Sequence, residues 1–364
     1  MPDLRQPIVS LLGHVDHGKT TLLDRIAGSI RAEREAGGIT QHIGALEVPR
    51  ASVLALCEGI LDTARFGVPG LLFVDTPGHR SFETLRRRGG ALADLAILVI
   101  DAKEGVMPQT RESVQILRHE KTPFAVALTK IDLVPGWKRP TGPMALSAQI
   151  ARCGEEYSRA LDARLYAVAE DLNRMGFSAE RYDRVSDFTR NLGIAPVSSK
   201  SGVGIAELIA LLVGLAQRFL KDDLAVSSGG GEATILERSE QRGIGAVGNV
   251  IVYQGRLAVG DEILATGRTA PFATRIRGIY RPAPPLRGRA KRATLDSLDS
   301  VAAAAGVYLS APGIEDGLPG GLLKVVRTAE ERAAAELELT RESHPVAELA
   351  DSGVALAADS LGGL

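Results

Sequence analysis

One segment, Gly13-His-Val-Asp-His-Gly18-Lys19-Thr20, constrains this chain more than any other feature. It has the spacing GxxxxGK[ST], directly after an apolar run (8–12, IVSLL) and before a helix-like stretch, TLLDRIAG. Glycines at those positions let backbone N–H groups turn toward phosphate oxygens, and the following helix N-terminus adds positive potential. Lys19 is placed to bridge two phosphates and Thr20 to ligate Mg2+, with Asp16, His17, Gly18 and Thr21 completing the cradle. Such a loop belongs to a strand–loop–helix unit, so a parallel sheet is the expected scaffold.

The rest of the first half supports that sheet. Apolar runs at 71–75, 95–101, 124–128 and 194–197 alternate with helical spacing, the pattern of buried parallel strands covered on both faces. A helical insertion is expected at about 137–192, where YSRALDARLYAVAEDLNRMGF has apolar residues at helix-like intervals. The stretch AVSSGGGEA near 228 has linker composition and separates a domain at 1–226 from one at 231–328. The second has strand-like runs with Gly turns, which predict a small antiparallel β-barrel. Residues 329–364 read as one exposed helix and then a short apolar piece, the opening of a third domain.

Further elements follow the strands. Asp75-Thr-Pro-Gly78-His79 would aim a carboxylate at the metal shell, bring the Gly78 N–H to a γ-phosphate and let His79 orient a water. In Thr129-Lys130-Ile-Asp132, the Asp132 carboxylate would accept from guanine N1 and N2 while the Lys130 stem lies over the base. Adenine lacks that donor pair, so the carboxylate selects GTP. Ser198-Ser199-Lys200 would put a backbone N–H near guanine O6. Thr40, in a Gly-rich loop, is a candidate second Mg2+ ligand that orders with the γ-phosphate. Three of the nine lysines fall in these elements, which disfavours reading them as solvated surface.

Composition removes several alternatives. A net charge of −1 excludes a general polyelectrolyte partner, leaving the basic stretch 275–292 as the local candidate for RNA contact, with Arg86, Arg87 and Arg88 undecided. The two cysteines lack metal or disulfide spacing, and no apolar run is long enough for a signal core or a membrane span. A cytoplasmic protein without a membrane partner is expected.

Taken in order, GHVDHGKTTLL, AGGITQHIGA, DTPGH, DAKEGVMPQT and TKID resemble the GTP-binding domain of translational GTPases. GGITQHIGA, the insertion with Trp137 and GFSAERYDRVSDF, and the barrel phrase GNVIVYQGRLAVGDEILA are similar to the archaeal and eukaryotic initiation factor 5B branch. The resemblance implies a P-loop GTPase domain with a mostly parallel sheet, then an antiparallel barrel, in a monomer. It implies a GTPase that promotes subunit joining and initiator-tRNA positioning, using GTP or GDP with Mg2+, stimulated by contact with both ribosomal subunits and ribosomal RNA. His79 is then the catalytic histidine, and Thr20, Thr40 and Asp75 form the metal shell. Asp16 resembles the acid that holds a monovalent cation, Na+ or K+, beside the phosphates. The family has two further domains, so a chain truncated after its second domain is expected, with initiator tRNA contacted only through the last domain of the family. Thr129 replaces the family's usual Asn, so one polar contact is expected to remain while the amide that ties loops together is lost, with weaker guanine affinity. An elongation-type GTPase delivering aminoacyl-tRNA and a nucleotide-gated scaffold with negligible turnover are the alternatives.

Overall fold

A computed structural model describes residues 4–33, 44–59, 67–74, 93–220, 224–225, 229–268, 270–282 and 295–343. Strands β1 (Ile8–Gly13), β3 (Gly70–Val74), β4 (Leu95–Asp101) and β5 (Phe124–Thr129) are buried along their whole length, as near-continuous apolar runs require. With β2 (Ala45–Pro49), β6 (Ser178–Arg181) and β7 (Asn191–Pro196) they form a seven-stranded sheet ordered β2-β3-β1-β4-β5-β7-β6. Only β2 runs antiparallel, against β3.

Alternate residues of the central strands feed two cores. Val9, Leu11, Ile97 and Val99 pack with Leu22 and Ile26 of α1 (Lys19–Glu33), and with Leu208 and Leu212 of a later helix, Ile205–Phe219. On the other face, Leu12, Leu98 and Ile100 meet Val114 and Leu117 of Pro108–His119, and Leu161 and Leu165 of Glu155–Arg174. The chain leaves β1 toward β3 on one side and returns to β4 on the other, so the carboxyl end of β1 is the switch point where ligand crevices form in such sheets.

Two expectations are adjusted here. The insertion is helical over Leu146–Cys153 and Glu155–Arg174, but it also supplies the edge strand β6, whose half-buried residues lack the apolar run of a central strand. β2 also escapes a reading based on continuous apolar runs, because its burial alternates.

The second domain is antiparallel. Eight of its strands, between Glu232 and Val325, form one sheet around Ile235, Val250, Val252, Ile263, Val307 and Leu309, and Arg256–Ala258 pairs separately with Ser300–Ala302, the expected barrel-type architecture. The helix Ala329–Ser343 is exposed along most of its length, as expected, and touches the sheet through one narrow face. Ala335 and Leu339 lie four residues apart and pack on Leu264, Leu322 and Val326, with Lys324 Nζ 2.8 Å from Glu338. The two domains meet where Ile8, Ala45, Leu72 and Val74 pack on Ile251 and Ala304. Gln6 Nε2 donates to the Ala304 carbonyl at 2.8 Å, and Arg281 lies 3.6 Å from Glu47. Arg281 of the basic stretch therefore faces the first domain, whereas Arg275 and Arg277 are exposed. Both cysteines are buried thiols outside any disulfide, and no described helix is long and apolar enough to cross a membrane.

Candidate functional site

β1 ends at Gly13, whose φ of +144° and position against the Val99 carbonyl leave no room for a Cβ. The chain then turns through Asp16 at φ 63° and Gly18 at φ +90°, and α1 begins at Lys19. Among the described residues nothing lies within 4 Å of the Cβ position at Gly18, so on that side the loop meets none of them. No acidic residue occupies the first turn of α1, where Thr20 and Thr21 are exposed. The N-terminus of α1, with its dipole, therefore has the chemistry of an anion site. Lys19 Nζ donates to the carbonyls of Gly13 at 2.9 Å and His14 at 2.7 Å, arching over the same loop.

His17 behaves differently from its loop neighbours. Its side chain is fully buried, with Nδ1 3.3 Å from the Asp101 N–H and Nε2 3.2 Å from Glu104. The Val99 carbonyl lies 3.4 Å from the same Nδ1, so the ring is held between the end of β4 and Glu104. It pins the loop to the end of β4, so only its backbone belongs to the cradle. Burial pulls its pKa below the ordinary 6.5, against the raising effects of the Val99 carbonyl, Asp101 and Glu104. The unfolded chain therefore takes up a proton more readily, and stability that is complete above 6.5 is lost as pH falls below it. Urea unfolding on either side of that value is expected to show this loss, and His17→Gln to flatten it.

Thr129 makes a polar contact in place of the family's amide. Its hydroxyl lies 2.7 Å from the His17 carbonyl and 3.2 Å from that of Ile100, so the buried end of β5 is tied directly to the phosphate-type loop. Thr129→Val, which keeps the shape and leaves the His17 carbonyl without that donor, is expected to cost about 1–3 kcal/mol in urea unfolding.

Lys130 follows with left-handed φ of 59° and places Nζ 2.6 Å from Asp101. Burial alone would raise the Asp101 pKa, but Lys130 and the N–H groups of Lys103 and Glu104 hold it below the usual carboxylate range. Asp132 sits on the 3-10 turn Ile131–Leu133 and accepts from Ser198 Oγ at 2.8 Å, with Lys200 Nζ 3.9 Å away. Ser198 is buried and also caps the Ser201 N–H at 3.2 Å, while Lys200 is exposed and Ser199 lies between them.

Three sequence segments thus converge. Asp16, His17, Gly18, Lys19, Thr20 and Thr21 form the loop, Thr129 joins it to Lys130 and Asp132, and Ser198 joins these to Ser199 and Lys200. Thr40, Asp75, Gly78 and His79 lie outside the described residues, as do Arg86, Arg87, Arg88 and the basic positions after 282. Among the described residues no cluster of three or more His, Cys, Asp or Glu is placed to hold a metal. Asp101 and Glu104 were missed as positioning groups, although a carboxylate closing the apolar run LAILVID was a visible signal.

Comparison with known proteins agrees with this geometry. Residues 5–218 match the elongation factor Tu GTP binding domain. The chain is 46% identical over 364 residues to a probable translation initiation factor IF-2 of Archaeoglobus fulgidus, covering 99% of this chain and 60% of that protein. It is 46% identical to the corresponding factor of Methanopyrus kandleri, covering 99% and 61%. The crystal structure of GDP-bound aIF5B from Aeropyrum pernix superposes with a TM-score of 0.87 at 42% identity, over 93% of this chain and 57% of that one. The chain therefore spans about three fifths of the length of these relatives.

Proposed function

Because the chain belongs to the translational GTPases with an elongation factor Tu-type GTP-binding domain, in the IF-2/aIF5B branch of initiation factors, we propose that it binds and hydrolyses GTP in response to the ribosome. The observation that carries this reading is the hydroxyl tie from Thr129 to His17, which sets the Asp132 platform and the phosphate-type loop in one fixed frame. In that frame Lys19 and the backbone N–H groups of the loop bind the phosphates. Asp132 accepts from guanine N1 and N2, the Lys130 stem covers the base, and the loop from Ser198 to Lys200 approaches O6. The residues fit such a ligand: Gly18 leaves open the space that a side chain would fill, and the first turn of α1 has no carboxylate to repel phosphate.

Thr20, Thr40 and Asp75 would hold Mg2+, and Asp16 a monovalent cation. Mg2+, when bound, would neutralise charge developing on the phosphate oxygens. His79 would orient the attacking water.

Subunit joining in the cytoplasm, by a monomer, is the process in which this hydrolysis serves. Within the stretch 275–292, Arg275 and Arg277 are the exposed described residues that would face ribosomal RNA, and initiator-tRNA contact would fall to the part of the relatives' length that this chain does not match. The test is GTP turnover with and without archaeal ribosomes. Stimulation that His79→Ala removes is the expected result. Turnover unaffected by ribosomes and by His79→Ala would mark a nucleotide-gated scaffold, and stable binding of aminoacyl-tRNA would mark an elongation-type factor.

A further inference from the structure

The guanine-recognition turn has a second support that none of the nucleotide motifs contains. Tyr157, in the insertion helix Glu155–Arg174, is fully buried, and its hydroxyl donates to the Ile131 carbonyl at 3.2 Å. Ile131 opens the 3-10 turn that carries Asp132, and its carbonyl also receives the Val134 N–H at 3.2 Å. The return of the turn rests on the same side chain. Gly136 has φ +83° and approaches so closely that a Cβ would lie 3.1 Å from that of Tyr157. The Trp137 ring, the one tryptophan of the chain, is 5.6 Å from the Tyr157 ring. Asp132 is thus fixed from one side by Ser198 and from below by the insertion.

We propose that Tyr157 is a positioning residue for guanine, the hydroxyl by which the insertion sets the tilt of the Asp132 carboxylate. The proposal rests on Asp132 being the guanine acceptor. A carboxylate accepts from both N1–H and the 2-amino group only when its plane lies in that of the base, so a small tilt of the turn sacrifices one of the two bonds. Inosine nucleotides lack the 2-amino group and have only one bond to lose.

The experiment is calorimetric titration of the whole chain with GDP and with inosine diphosphate, for wild type, Tyr157→Phe and Asp132→Asn. Tyr157→Phe keeps the ring and removes only the hydroxyl. It is expected to weaken GDP about fivefold, the factor that goes with one neutral hydrogen bond, and to weaken inosine diphosphate less, so that the preference for GDP falls. A merely structural tyrosine would weaken both nucleotides equally, and an unchanged preference overturns the proposal. If Tyr157→Phe does not fold, Gly136→Ala displaces the turn from its other end and must lower the same preference. Should Asp132→Asn leave GDP binding unchanged, the guanine assignment itself fails; should it weaken GDP while Tyr157→Phe leaves the preference intact, only the role of Tyr157 falls.

Discussion

Lys19→Ala is expected to abolish tight binding of GDP and GTP, with a loss of about 100-fold or more read by titration. The ammonium serves two structures at once. It bonds to the Gly13 and His14 carbonyls, which holds the loop in its arch, and it presents charge to the concavity that the Gly18 turn leaves open. Two lost hydrogen bonds to a charged group correspond to roughly 3 kcal/mol or more, hence the estimate. Near-wild-type affinity in this variant would mean that the concavity binds no phosphate.

Asp132→Asn is expected to exchange specificity: affinity for GTP falls by about 100-fold or more, and xanthosine triphosphate becomes the better ligand. The change substitutes an amide, half donor, for a carboxylate that only accepts. Guanine offers donors at N1 and N2, which then face an N–H, whereas xanthine has a carbonyl at position 2 that can receive it. The Ser198 hydroxyl, 2.8 Å from Asp132 Oδ1, can still donate to the amide oxygen, so the turn is expected to survive the change. Competition of both nucleotides against labelled GDP checks the exchange, and unchanged GTP affinity would reject the guanine assignment.

The parts of this site that were legible in the sequence are those where chemistry fixes residue type. Gly13 and Gly18 are required by backbone angles, and the spacing of the motifs put Lys19 beside that loop and Asp132 just after the end of β5. What escaped depends on distance across the fold. A polar contact at Thr129 was expected, but that its partner is the His17 carbonyl is a property of strand placement at the end of β5. His17 follows its neighbours in sequence, but the left-handed turn at Asp16 sends its side chain inward. Tyr157 lies in a polar-looking helix, and its contact with Ile131 spans 26 residues of chain. The helix at 329–343 is exposed as its composition suggests, but the narrow apolar face of Ala335 and Leu339 that docks it on the barrel was not read from the sequence. The fold class was legible because the first half has continuous apolar runs, and the second has strand-like runs broken by Gly turns, which gave a parallel and then an antiparallel sheet.

The central claim is a site that selects a guanine nucleotide by joining a phosphate cradle to an acceptor carboxylate. Its most direct test is titration of the chain with GDP and ADP under the same Mg2+ concentration. Saturable one-to-one binding of GDP, with ADP weaker by about three orders of magnitude or more, is the expected result. Equal affinities, or binding of neither, would contradict it.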